Sequence, residues 1–297
     1  MKELLKKHVI NLKGKSLKKK LIVIESDDWG SIRIPNRKVS QHLIDKGLLN
    51  SNNPFDTLDC LENEQDLQDL FGVLSNFKDH LGNAPVITAN MVMTNPDFEA
   101  IKNNDFSAYK YEVFTETYKR NSSTANTMAV LQQGIQEKLF FPQFHAREHL
   151  NTNLWMRNLQ NKDENFHIAF NQECFSIKDP SPSNRRNNIM ATYDYYSSED
   201  LTIVQESIKE GVQLFEKVFE KKSKTTVCPC YVWDHNVEKV FNEAGISKGA
   251  IYHHYQGKKD IFLGLIGHWE TQTFPDFYSR NGKERSAADT LRDFANE

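Results

Sequence analysis

Leu21-Ile22-Val23-Ile24-Glu25-Ser26-Asp27-Asp28-Trp29-Gly30 begins with four apolar residues and runs into an adjacent pair of carboxylates. The apolar run has the length of a buried strand, so the two aspartates fall at its carboxyl end. A second run, Leu139-Phe140-Phe141-Pro142-Gln143-Phe144, leads in the same way into His145 and, four residues on, His149. One aspartate oxygen and two imidazole nitrogens can hold zinc at about 2.0–2.2 Å and leave a fourth position open to water, the arrangement of a catalytic rather than a structural metal. Either pair alone reads as less: an Asp-Asp after a strand is commonly a turn former or helix cap, and isolated histidines are commonly structural. The two pairs together, at the ends of the first and third strands, point to a divalent metal, zinc by its donor set.

Outward from these runs the pattern alternates. Leu67, Leu70, Phe71, Leu74 and Phe77 repeat at helical spacing. Residues 85–90 read as the second strand, residues 123–137 as a helix, and residues 153–159 as another. Residues 166–170 read as a fourth strand, and the polar stretch 179–188 as a loop. Ser197 and Asp200 are placed to cap a helix whose Leu201, Val204, Ile208, Phe215 and Phe219 line one side. Residues 225–228 read as a short strand. Strand and helix in alternation imply an α/β fold, a parallel sheet or barrel with helices outside, whose reactive groups gather at the carboxyl ends of the strands.

Composition sets the limits. The 297 residues are 38% hydrophobic and 26% charged, an ordinary globular balance with room for one large or two smaller domains. A net charge of -3 argues against a surface built throughout for nucleic acid or an anionic membrane. The first twenty residues hold eight lysines but no run long and apolar enough for a signal peptide or a membrane span, so the expectation is a cytoplasmic protein without a membrane partner. Cys60, Cys174, Cys228 and Cys230 are too few and too scattered for a disulfide framework. They are expected as reduced thiols, with Cys228 and Cys230 buried. His167 and His235 are read as structural.

Glu25-Ser26-Asp27-Asp28-Trp29-Gly30 and His145-Ala146-Arg147-Glu148-His149 resemble the first two motifs of the polysaccharide deacetylases of the NodB type, and Cys228-Pro229-Cys230-Tyr231 resembles the third more loosely. The likeness runs from about residue 21 to 246. It implies an incomplete (β/α) barrel in which Asp28, His145 and His149 bind the metal, Asp27 is the general base and the Tyr231 backbone N–H faces an oxyanion. The implied substrate is an acetylated carbohydrate, deacetylated at N- or O-acetyl groups. The Arg that orients the base in that family is missing, with Cys228 near its place, and so is the late His that protonates the leaving group. An impaired enzyme is the expectation.

The chain changes character after Asn242-Glu243-Ala244-Gly245-Ile246. Ser247-Lys248-Gly249-Ala250-Ile251-Tyr252-His253-His254-Tyr255, continuing through Lys258-Lys259-Asp260-Ile261-Phe262, resembles the helix-turn-helix of TetR-type regulators over about residues 237–275. That resemblance implies a small all-α tail whose Ser247, Lys248, Tyr252, His253 and Lys258 meet DNA phosphates and base edges. The boundary is expected at 246, with 1–246 a deacetylase-like domain shortened at its C-terminal end and 247–297 a helix-turn-helix fragment. The chain thus reads as a hybrid with two functions, a deacetylase-like hydrolase first and a DNA-binding regulator as the alternative.

Overall fold

A computed structural model describes residues 22–120, 122–177 and 188–248. All of these belong to one compact unit, Leu17–Lys248. The lysine-rich first twenty residues, nearly all of the expected loop 179–188, and Tyr252, His253 and Lys258 with the rest of the expected tail lie outside the described residues.

The described chain enters on β1 (Ile24–Trp29) and passes through α1 (Arg37–Asp45), the single turn α2 (Pro54–Thr57) and α3 (Glu64–Ser75). Each helix starts on an asparagine, Asn36, Asn53 or Asn63, whose side chain accepts from first-turn N–H groups that would otherwise lack partners. At α3 the cap is reciprocal, because Asp66 accepts in turn from the Asn63 N–H. The chain re-enters the sheet as β2 (Ile87–Val92), then forms β3 (Thr94–Pro96), α4 (Phe98–Asn103), β4 (Tyr111–Val113), α5 (Phe114–Lys119) and α6 (Thr127–Gln136). After β5 (Phe140–Ala146) come α7 (Thr152–Gln160), α8 (Glu164–Phe170) and the long α9 (Ser198–Phe219). The described chain closes with β6 (Thr225–Thr226), a 3-10 turn at Pro229–Tyr231, α10 (His235–Glu243) and β7 (Ser247–Lys248).

β1, β2 and β5 form a parallel sheet in that order, with Ala89 beside Ser26 on one side and Pro142 on the other. β2 and β5 are covered on both faces, which is why they read as near-continuous apolar runs. Met91, Phe140, Phe144, Leu67, Phe71 and Phe215 fill the main core; a second core under α7 and α8 is built on Trp155, Phe166 and Phe170. The β1–β2–β5 ladder does not extend to β6. There the Gln143 side chain replaces it, accepting from the Lys224 and Thr225 N–H groups at 2.9 and 3.0 Å.

Several expectations need correction. Among the described residues the strands fall into three separate sheets and close no barrel, so the architecture they show is mixed α/β. Residues 166–170 are helical, not a strand. Asp163 caps them by accepting from Asn165 and Phe166, and Phe166, Ala169 and Phe170 bury one helical face. Ser247 and Lys248 do not open a recognition helix; they pair in parallel with Thr225 and Thr226. β6, α10 and β7 thus make a βαβ unit, with Val237, Val240 and Phe241 of α10 in the main core. Gly245, at φ 73°, provides the left-handed turn after the helix. Among the described residues no helix is long and apolar enough to cross a membrane.

Candidate metal centre

β1 reaches the centre through an irregularity. Neighbouring residues of a regular strand point to opposite faces, but the β1–β2 register slips between Ser26 and Trp29, and Asp28 takes a left-handed φ of 71°. A bulge of this kind re-aims side chains at a strand end. Asp28 turns inward, while Asp27 stays exposed and its Oδ1 accepts from Asn90 Nδ2 at 2.7 Å. Gly30 follows at φ 83°, where an added Cβ would lie 2.8 Å from the Val92 carbonyl oxygen. Only glycine lets the chain pass so close to β2.

His145 is the last residue but one of β5, and His149 stands in the loop that follows. A dense network fixes this segment. Met93 and Thr94 donate their N–H groups to the Ala146 and Arg147 carbonyls at 3.0 and 2.6 Å, and Tyr193 donates its hydroxyl to the His145 carbonyl at 3.1 Å. Between the histidines, Arg147 pairs with buried Glu148 at 2.6 and 3.0 Å, reaches Glu210, and lies over the Tyr111 ring. Thr94 and Ser207 complete the Glu148 carboxylate. A buried pair satisfied on every side holds a backbone rigidly.

Asp28 Oδ1 lies 3.2 Å from His145 Nε2 and 3.2 Å from His149 Nε2. Two donors each about 2.0–2.1 Å from one tetrahedral ion stand about 3.3 Å apart. His145 Nδ1 contacts the Val227 carbonyl oxygen at 2.6 Å. A carbonyl oxygen only accepts, so Nδ1 carries a proton, and in a neutral ring Nε2 is then the nitrogen whose lone pair can ligate. Asp28 Oδ1 and His145 Nε2 are buried without a hydrogen-bond partner among the described residues. Two facing lone pairs repel unless a cation stands between them, so the donor set fits a divalent metal.

The charges favour the same state. Burial by itself would raise the Asp28 carboxyl, but the imidazoles of His145 and His149 when charged, and the Arg33 guanidinium whatever their state, hold it far below the usual carboxylate range. Burial lowers His149 to about 3 against the opposing pull of Asp28, so its ring is neutral and able to ligate. Arg33 was not anticipated: buried at 9% exposure, it donates from Nη2 to Asp28 Oδ2 and sets Nε 2.9 Å from Asp59 Oδ2. Its position just past the aspartate pair was the available signal, but Asp59 is remote in sequence.

Other expected site residues are placed differently. The Tyr231 N–H does not face the centre, because it donates to the Cys228 carbonyl at 2.9 Å and closes the 3-10 turn. The Tyr231 side chain is exposed, its phenol raised by partial burial and then by Asp27, Asp28 and Glu25. Cys228 is buried as expected but Cys230 is exposed, thrown outward by left-handed φ values at Cys230 and Tyr231. None of the four cysteines is bridged. His167 has the structural role expected of it, with Nε2 2.9 Å from the Leu159 carbonyl oxygen. Of the expected DNA contacts, only Ser247 and Lys248 are described, and both lie in β7.

Residues 235–265 match the family of bacterial regulatory proteins, tetR family. The match covers a small part of the chain and takes in α10, the Gly245 turn and β7. No curated protein and no solved structure matches the chain.

Proposed function

We propose that the described unit is a metal-dependent hydrolase. The observation that carries this reading is the unsatisfied meeting of Asp28 Oδ1 with two imidazole nitrogens, each at 3.2 Å. Asp28, His145 and His149 would hold the ion, and zinc suits their nitrogen and oxygen donors. Such an ion, when bound, supplies Lewis acidity and lowers the pKa of a water. The chain's own residues supply the rest. Asp27 is next to the cluster but outside it, open to solvent and oriented by Asn90, as suits a base that takes the proton from an attacking water. The buried Arg147–Glu148 pair keeps both imidazoles in place.

The finer reading, deacetylation of a carbohydrate at N- or O-acetyl groups, rests on the resemblance of Glu25–Gly30 and His145–His149 to the NodB-type motifs. Since general acid catalysis contributes about 10²–10⁴-fold, a chain without that family's late His turns over slowly. The test is release of acetate from short N-acetylated sugars by the zinc-loaded chain. Slow turnover lost in Asp27→Asn supports the reading, and turnover indifferent to Asp27→Asn refutes it.

The second reading is a TetR-like DNA-binding regulator. The family match over residues 235–265 favours it, and no comparison favours the first. With α10 in the α/β core and Ser247–Lys248 in β7, DNA contact would fall to Tyr252, His253 and Lys258. With Lys258 the one lysine of that set, the affinity falls only modestly with salt, with a log–log slope of about -1. Fluorescence anisotropy with palindromic and random duplexes decides it. Sequence-selective binding lost in Tyr252→Ala establishes the regulator, and equal weak binding to both duplexes refutes it.

A further inference from the structure

Arg33 and Asp59 have no part in the reading above, although Arg33 touches the candidate ligand directly. We infer that Arg33, anchored by Asp59, is a positioning residue that occupies Asp28 Oδ2 and so leaves Oδ1 alone to serve a cation. The inference rests on the metal reading and deepens it.

A carboxylate can bind a cation through one oxygen or both, and rotation about its terminal torsion is broad and nearly two-fold. At Asp28 that freedom is removed. Arg33 Nη2 donates to Oδ2, and Oδ1 is the oxygen 3.2 Å from both imidazole nitrogens. Arg33 is itself fixed: its side chain is 10% exposed, its Nε is 2.9 Å from Asp59 Oδ2, and its guanidinium lies 5.3 Å from the centre of the Phe55 ring. A guanidinium suits the task because its planar fork can face two carboxylates at once, which a lysine ammonium does not do with the same geometry.

An arginine beside a cation site has a cost, since like charges repel. Asp59 offsets it. Two carboxylates face the one guanidinium, and Asp27 stands on the solvent side of the same cluster, so carboxylates outnumber the permanent cation there. Without Asp59, Arg33 would neutralise Asp28 and the centre would lose its attraction for a divalent ion. The two residues therefore work as a unit: Arg33 sets geometry and Asp59 restores charge.

The experiment loads the full chain with Co²⁺ alone and with Zn²⁺ alone. It measures affinity by competition with a chelating dye and coordination from the visible spectrum of the Co²⁺ form, for wild type, Arg33→Gln, Arg33→Lys and Asp59→Asn. Partners of metal ligands typically cost about 10–100-fold in affinity when removed. Arg33→Gln is expected to weaken binding within that range and to shift the Co²⁺ spectrum from four-coordinate towards five-coordinate, as Asp28 Oδ2 joins the metal. Arg33→Lys, which keeps the charge and loses the fork, is expected to show the same spectral shift. Asp59→Asn is expected to weaken binding with a smaller spectral change, and it covers the case in which the Arg33 variants do not fold. A folded Arg33→Gln or Asp59→Asn with wild-type affinity and spectrum overturns the inference while leaving the metal reading intact. Failure of the wild type to bind either ion overturns both.

Discussion

Gly211 and Gly72 both sit inside helices, and the structure gives their replacement by alanine different outcomes. On propensity alone, Gly→Ala within a helix stabilises by about 1 kcal/mol. Gly72 of α3 has nothing within 4 Å of an added Cβ, so Gly72→Ala should realise most of that gain. At Gly211 of α9 the new carbon would lie 2.8 Å from Cε2 and Cζ of Phe144 and 2.9 Å from Cβ of Arg147. Those separations are well inside the ordinary carbon contact of about 3.5–4.0 Å. Phe144 has no room to yield, being fully buried with its ring edge-on to Phe215 and tilted against Phe241. Overpacking of this kind costs about 1–3 kcal/mol. After the propensity gain, Gly211→Ala should destabilise by about 0–2 kcal/mol and in no case realise the gain expected of Gly72→Ala. Because Arg147 stands between the two histidines, metal affinity should fall with it. Urea titration of both variants beside wild type gives the sign directly. Equal stabilisation by the two substitutions would refute the claim that α9 is held against β5 at contact distance and thereby fixes the His145–His149 segment.

Three more outcomes follow from single sites. Removing the reciprocal cap of α3 with Asn63→Ala should cost about 1 kcal/mol, measurable as a lowered urea midpoint with an unchanged slope. Burial pushes the Glu62 carboxyl above its ordinary value, although Tyr118 and Gly30 donate to it. A raised carboxyl pKa makes the folded chain hold the proton longer than the unfolded chain, so stability is full below the unfolded value and is lost as pH rises through the folded one. Glu62→Gln should therefore melt with wild type in acid and above it in mild alkali; coincident melting at every pH would show that Glu62 carries no such cost. Under alkylation followed by mass spectrometry, exposed Cys60 and Cys230 should label before buried Cys174 and Cys228. Since burial raises the Cys60 and Cys230 thiols, their rates should climb steeply into alkaline pH.

Sequence and structure agree where the signal is local and long. The apolar run before His145 is strand β5, and Leu67, Phe71 and Leu74 form the buried face of α3, whereas of the run before Asp27 only Ile24 enters β1, and Ile22, Val23 and Ile24 are exposed rather than buried. They diverge where a short segment suits two structures. Phe166-His167-Ile168-Ala169-Phe170 alternates like a strand, yet Phe166, Ala169 and Phe170 also fall on one helical face, and the Asp163 cap decides between them. A helix, a left-handed glycine and a short polar run describe a helix-turn-helix and an α-to-β connection equally well. What settles Ser247–Lys248 is pairing with Thr225–Thr226, some twenty residues upstream and invisible to any local reading. At the candidate centre the aspartate and histidine pairs were legible from strand ends. Arg33, Asp59 and Asn90 were not, because each acts through a contact that only the folded chain makes. The Tyr231 N–H was misread for a similar reason, since its partner is the carbonyl that a tight turn brings round to it.

The most direct test of the central claim is the metal content of the chain, purified without a metal-binding tag and dialysed against zinc, read by elemental analysis before and after a chelator. With Asp28, His145 and His149 as ligands, wild type should retain about one zinc per chain, the chelator should remove it, and His145→Ala should hold none while keeping wild-type circular dichroism. A folded wild-type chain without zinc, or a folded His145→Ala variant with undiminished zinc, would contradict the account.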